Sequence, residues 1–350
     1  MPLAPRLTAL VVSLLRGPRP RLALVLVVLL ALSGSGLALG VARVAPAASG
    51  GTPADPAVAK VPTGPGSTCV VTGRVPQGCR PLVGAAHGAN TEPVQLEGPA
   101  GRRLGVRRTY WTGTQVDSAV RTARSDTAHG RIPWISFKLP MSWADMAAGR
   151  GDAWALDLAH RLSRVDGPVW VAFHHEPEGD GDLADWRAMQ ERLAPLVRRA
   201  APNVAYSVIL TGWNQLYGDR AYRFDRIWPR GVKIDIAGFD LYNEYGVTKN
   251  GRYDTRWPCM ACQFYRPLQR WARSQGVAWG IAEFGWTDDA ARRRPHWLRT
   301  TYREVRKAGG IAFTYFDTPY NSIASWDLSE PGKQRLFTHL VRRGPRPVTR

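Results

Sequence analysis

Eight short apolar runs, rich in Val and Ile and bounded by turn residues, recur roughly every 35 residues along this chain of 350. They are Leu82 to Ala86, Leu104 to Tyr110, Ile132 to Phe137, Val169 to His174, Val204 to Leu210, Ile234 to Leu241, Val277 to Glu283 and Ile311 to Phe316. Several are continuously apolar, the pattern of parallel strands covered on both faces. Between them, Asp182 to Arg199, Pro267 to Ser274 and Ala290 to Lys307 carry apolar residues at three- and four-residue spacing, which predicts helices. Strand then helix, eight times over, predicts an α/β fold of the (β/α)8 TIM-barrel type. A doubly wound open sheet is the alternative, but no glycine-rich turn follows the first run, so a dinucleotide site has no support.

The barrel does not need the whole chain. Residues 1–48 read as a signal peptide or signal anchor: Leu22 to Ala42 is uncharged, Arg16, Arg19 and Arg21 precede it, and Ala45-Pro46-Ala47-Ala48 follows as a small-residue cleavage pattern. The uncharged span is also long enough to cross a bilayer uncleaved. The protein is therefore expected to be secreted, or anchored through this segment to the outer face of the plasma membrane. Residues 49–68 are Pro, Gly, Ala and Thr with few large apolar side chains, a disordered linker by composition. The folded domain is expected over 69–343, with 344–350 a tail.

A formal charge of +19 suggests nucleic acid, whose phosphates attract Lys and Arg clusters. Arg outnumbers Lys 41 to 6, however, and the excess is scattered along predicted helices and both termini rather than gathered in a stripe. That distribution argues against a nucleic-acid partner and suits anionic cell-envelope polymers better. The four cysteines form two close pairs, Cys69 with Cys79 and Cys259 with Cys262, which in an exported chain read as local disulfides. Cys259-Met-Ala-Cys262 could instead be half of a zinc site, but no second CxxC or His pair accompanies it. Nothing in the chain calls for a metal or an organic cofactor, and a monomer is expected.

Two carboxylates stand where a barrel keeps its chemistry. Glu176 closes the fourth run, in Phe173-His174-His175-Glu176-Pro177, and Glu283 closes the seventh, in Ile281-Ala282-Glu283-Phe284-Gly285. Every strand of a parallel barrel points its C-terminal end at the same face, so the two converge there from opposing arcs. Cleaving a glycosidic bond needs such a pair, one to protonate the leaving oxygen and one to attack the anomeric carbon or activate water. A lone glutamate could equally cap a helix or pair with an arginine; two in matching contexts point to catalysis. Glu178, Asp180 and Asp182, in the loop after the fourth run, read as solvated charges or a helix N-cap.

Phe-His-His-Glu176-Pro, Ala-Gly-Phe-Asp240-Leu-Tyr242 and Ile-Ala-Glu283-Phe-Gly resemble the strand-four, strand-six and strand-seven signatures of glycoside hydrolase family 26, the endo-β-mannanase family of the retaining clan A barrels. The resemblance implies an endo-acting retaining β-glycosidase acting on a polysaccharide or oligosaccharide such as β-mannan. Glu176 would be the acid/base, Glu283 the nucleophile, His175 a sugar ligand at the cleavage subsite, and Tyr242 a hydrogen-bond donor to the nucleophile. Retention would place the two carboxyl groups about 5 to 5.5 Å apart and needs a proton held on Glu176. Trp213 and Trp286 are placed to stack on sugar rings, with Tyr315 and Trp326 lesser candidates. The chain departs from the family in two places: the residues just before the His-Glu pair are apolar rather than including Arg, and the eighth run reads Ala-Phe-Thr-Tyr315-Phe316-Asp317 without a terminal Trp. The resemblance therefore carries the reaction class and leaves the polysaccharide open. Rival readings are a non-catalytic carbohydrate-binding envelope protein and an enzyme that processes the exopolysaccharide of its own cell.

Overall fold

A computed structural model describes residues 68–320 and 322–349. The expected export segment and all of the linker but Thr68 lie outside the described residues. Eight parallel strands close a barrel: β1 (Leu82–His87), β2 (Val106–Thr112), β3 (Ile132–Lys138), β4 (Val169–Phe173), β5 (Val204–Leu210), β6 (Ile236–Asn243), β7 (Ala278–Trp286) and β8 (Ala312–Asp317). Each pairs with its sequence neighbours, and β8 returns to β1 with Asp317 opposite His87. The expected TIM barrel is the fold observed.

The helices follow their sequence signals. Asp182 caps Leu183–Ala200, its Oδ1 accepting from the Ala184 amide at 2.7 Å. The predicted helix from Ala290 to Lys307 is two, Asp288–Arg293 and Trp297–Lys307, because Pro295 ends the first. Between β5 and β6 there are only short helical pieces, Trp213–Tyr217, Arg220–Tyr222 and Phe224–Ile227. The main apolar core fills the space between the outer faces of the strands and these helices.

The barrel interior is layered. Towards the N-terminal ends it is apolar, with Leu82, Val106, Ile132, Trp134, Trp170, Ala205 and Ile236 packed together and the Trp134 and Trp170 rings edge to face at 5.1 Å. Two indoles fit only because small residues face them. A Cβ on Gly238 would meet Trp134 at 2.9 Å and Ile209 at 2.6 Å. Towards the C-terminal ends the interior turns polar and charged, with Arg108, Ser136, Asp240 and Glu283 buried. Apolar filling below and ionisable groups above leave one end of the barrel for chemistry.

The N-terminal end is closed by a two-stranded parallel ribbon of Thr68–Val71 and Arg346–Thr349. The segment expected to be a tail is thus partly a strand. Cys69 and Val71 pack against the lower interior layer, and the Cys69–Cys79 disulfide staples the loop that follows. The second expected disulfide, Cys259–Cys262, is also present.

Candidate active site

Glu283 lies inside the mouth because β7 carries a bulge. In the lower half of β7, Trp279 and Ile281 belong to the outer core while Ala282 belongs to the interior. The register then slips between Ile281 and Glu283, so Glu283 also faces inward, opposite Asp240 on β6. A bulge of this kind re-aims the side chains beyond it. Phe284 and Trp286 turn outward as a result and pack on Trp297 of the neighbouring helix at 5.7 and 5.4 Å.

The Glu283 carboxylate is gripped from both sides. Tyr110 at the upper end of β2 donates its hydroxyl to Oε1 at 2.7 Å, and Tyr242 on β6 donates to Oε2 at 2.7 Å. Burial above all, and then the Glu283 charge, pushes both phenols well above their usual range, so both remain donors. Below them the buried Arg108 guanidinium lies 3.7 Å from Glu283 Oε1, donates to Ser136 Oγ at 2.6 Å and sits 4.6 Å under the Tyr110 ring. Asp240 adds a second buried carboxyl whose two oxygens have no hydrogen-bond partner. Burial, followed by the charges of Glu283 and Glu176, drives the Asp240 carboxyl well above its usual range.

Glu176 approaches from β4 on an unusual turn. His174 and Glu176 both have positive φ, 49° and 48°, a left-handed conformation that costs non-glycine residues of order 1–3 kcal/mol each. The turn is fastened where it is strained: the His174 amide donates to Phe137 O at 2.8 Å and the Glu176 amide to Ile209 O at 3.0 Å. The Glu176 carboxyl is pushed up to about 8, by burial first and then by the negative charges of Glu283 and Glu178. The Glu283 charge thus bears directly on the Glu176 proton. His175 is held neutral, by burial first and then by the Arg108 charge, with its ring 5.4 Å from Tyr110 and its Nδ1 buried without a partner.

The other expected residues divide. Trp213 sits just above β5, 53% exposed beside Tyr217 at 51%, their rings 6.4 Å apart. Trp286, expected to line the cleft, is wholly buried against Trp297, because the bulge turns it out of the barrel. Tyr315 is likewise core, but Trp326 packs its ring 5.0 Å from Tyr242 at the mouth. Glu178, read as a solvated loop charge or cap, is instead half-buried and bonded to the loop after β5. Asp180 does sit in the loop as a paired charge, with His174 Nε2 at 3.0 Å. The sequence reading missed Arg108 and Tyr110, which share one face of β2.

The two tryptophans predict opposite phenotypes. Trp286→Ala is expected to cost about 3–5 kcal/mol of stability, read by denaturant unfolding. Trp213→Ala should leave stability unchanged and, if the platform carries sugar, raise KM for a polymer about threefold to tenfold.

Around the mouth, exposed large side chains gather on the loops after the strands: Met141 after β3, Trp213 and Tyr217 after β5, Tyr253 after β6, Tyr320 after β8. Lys333, wholly buried in the helix Pro331–Arg343, ties the upper loops of β7 and β8 together by donating to Asp288 at 2.9 Å and Ser325 O at 2.7 Å. Among the described residues no cluster of His, Cys, Asp and Glu has the geometry to hold a metal.

Solved structures share this fold. A family 26 β-mannanase from Bacteroides ovatus aligns with a TM-score of 0.56 at 13% identity, over 78% of this chain and 91% of that one. A modular family 26 endo-β-1,4-mannanase from Cellulomonas fimi aligns at 0.53 and 15%, over 77% and 71%. The cellulose synthase subunit Z of Clostridioides difficile aligns at 0.52 and 13%, over 74% and 99%. At such identities the likeness establishes the barrel. No protein-family profile and no curated protein sequence matches the chain.

Proposed function

We propose that this protein is a retaining endo-β-glycosidase that cleaves a β-linked polysaccharide such as β-mannan, with Glu283 as nucleophile and Glu176 as acid/base. The observation that carries the reading is the asymmetry of the two carboxyls: one is held by two phenol hydroxyls, and the other is driven to keep a proton by burial and by the first one's charge. Environments that push two acids apart assign them different roles.

In the first step a Glu283 oxygen bonds to the anomeric carbon. The glycosidic C–O bond breaks, and the leaving oxygen takes the Glu176 proton. Glu176, now ionised, then removes a proton from water as that water attacks the same carbon and releases Glu283. Two inversions at one centre retain its configuration. Tyr110 and Tyr242 keep the attacking carboxylate aimed while Arg108 offsets the charge gathered in the mouth. The aromatic side chains on several rim loops suit a chain that extends past the cleavage point on both sides, hence endo action. The three structural neighbours, two of them mannanases, support the same reading.

The test is reducing-end release from mannan, xylan, mixed-linkage glucan and the polysaccharide of the producing cell, with the anomer first formed read by proton NMR. Cleavage of at least one polymer to a β-configured end is expected. An α-configured product would overturn retention. No release from any of them would favour the non-catalytic binding reading.

A further inference from the structure

We propose that Glu178 is a positioning residue for Glu176: it clamps the strained turn that presents the acid/base and sets a second negative charge against it. For its consequence in turnover the proposal rests on the hydrolase reading above. Pro177 alone separates the two glutamates, so the side chain of one is coupled to the backbone of the other. Glu178 Oε1 accepts from the Thr211 amide at 3.1 Å, Thr211 Oγ1 at 3.2 Å and Gln215 Nε2 at 2.5 Å. Gln215 is fixed in turn, its Oε1 accepting from the Gly212 amide at 2.8 Å and its Nε2 donating to Tyr222 O at 3.2 Å. The loop after β5 and the turn after β4 are therefore one unit, and the helix bearing Trp213 and Tyr217 belongs to it.

Fastening alone does not require an acid. A glutamine at 178 could accept the same three bonds without the cost of burying a charge. Glu178 Oε2 is buried and has no hydrogen-bond partner, so the second oxygen does no fastening. Its effect is electrostatic. The groups facing Glu176 are Glu283 from β7, Asp240 from β6, Arg108 from β2, and Glu178 and Asp180 from its own loop. Of these, Glu178 is the carboxylate nearest in the chain and the one whose bonds tie it to the same turn. Burial raises the Glu178 carboxyl as well, while the bonds it accepts from Gln215 and Thr211 favour its ionised form; in that form its charge opposes ionisation of Glu176, so the proton stays until a leaving oxygen takes it.

The experiment compares the full chain with Glu178→Gln. Carbon-13 NMR of glutamate-labelled protein should show the Glu176 titration midpoint falling by about one pH unit. Because a protonated acid is needed, the basic limb of kcat/KM on polysaccharide should move down by the same amount, an activity loss of about tenfold above that limb. A dinitrophenyl glycoside, whose leaving group needs no proton, should lose less than about twofold. An unmoved midpoint in a folded variant, or equal losses on both substrates with no shift, would overturn the proposal and leave Glu178 a structural clamp. A midpoint that falls in a protein that cleaves no glycoside would keep the coupling and remove the hydrolase reading. Should Glu178→Gln fail to fold, Gln215→Leu withdraws the shortest bond to the Glu178 carboxylate and favours its protonation. The Glu176 midpoint is then expected to fall too, and its constancy would count against the proposal.

Discussion

Glu283→Ala is expected to lower kcat on any polysaccharide the protein cleaves by about 10⁴-fold or more, because in the proposed mechanism Glu283 supplies the atom that bonds to the anomeric carbon. The surroundings make the loss selective. Tyr110, Tyr242 and Arg108 stay in place around a space the size of a carboxylate, with two hydroxyls and a guanidinium still facing it. A small anion such as azide should enter that space and attack an activated β-glycoside from the same side. One displacement then replaces two, so the product is the α-glycosyl azide, observable by NMR and mass spectrometry. A Glu283→Ala protein retaining more than about a hundredth of wild-type turnover would show that another group attacks.

Glu176→Gln should cost about 10² to 10⁴ in turnover of unactivated polymer, and it carries a second consequence of opposite sign. The Glu176 carboxyl is raised in the fold to about 8 from the 4.5 of a glutamate in water. Between those values the folded chain holds a proton that the unfolded chain releases, so stability falls as pH rises through that window. The cost is fully present above about pH 8 and absent below about 4.5. At pH 8 the glutamine variant is expected to be more stable than wild type by a few kcal/mol, and at pH 4 to match it, measured by denaturant unfolding at both. A variant equally or less stable at pH 8 would mean that burial is not what raises the carboxyl. The proton that the proposed mechanism needs on Glu176 is thus held at the expense of stability.

What could be read without coordinates follows from which forces are local. The eight apolar runs located all eight barrel strands, with ends off by up to three residues, because burial on both faces leaves a continuous apolar record. Asp182 as a cap acts within one turn and is visible as such, whereas the apolar spacing from Ala290 to Lys307 carried the expected helix across Pro295, which ends it. Trp286 was misplaced for a different reason: its direction depends on the bulge at Ala282 and Glu283, which inverts the phase of β7 without any change in composition. Glu178 was misread because its partners, Thr211 and Gln215, lie more than thirty residues away. Arg108 and Tyr110 did leave a trace. Alternation in a strand places residues two apart on one face, and Arg108 with Tyr110 on β2 repeats the pattern of Asp240 with Tyr242 on β6. Among 41 arginines, one that points into a barrel is hidden by the others.

The ribbon of Thr68–Val71 and Arg346–Thr349 fixes where the chain enters the barrel. Both of its strands sit beneath the lower interior layer, and Trp170 Nε1 donates to Arg74 O at 3.0 Å just beyond. The first and last described strands therefore lie side by side at the floor, at the opposite end of the barrel from Glu176 and Glu283.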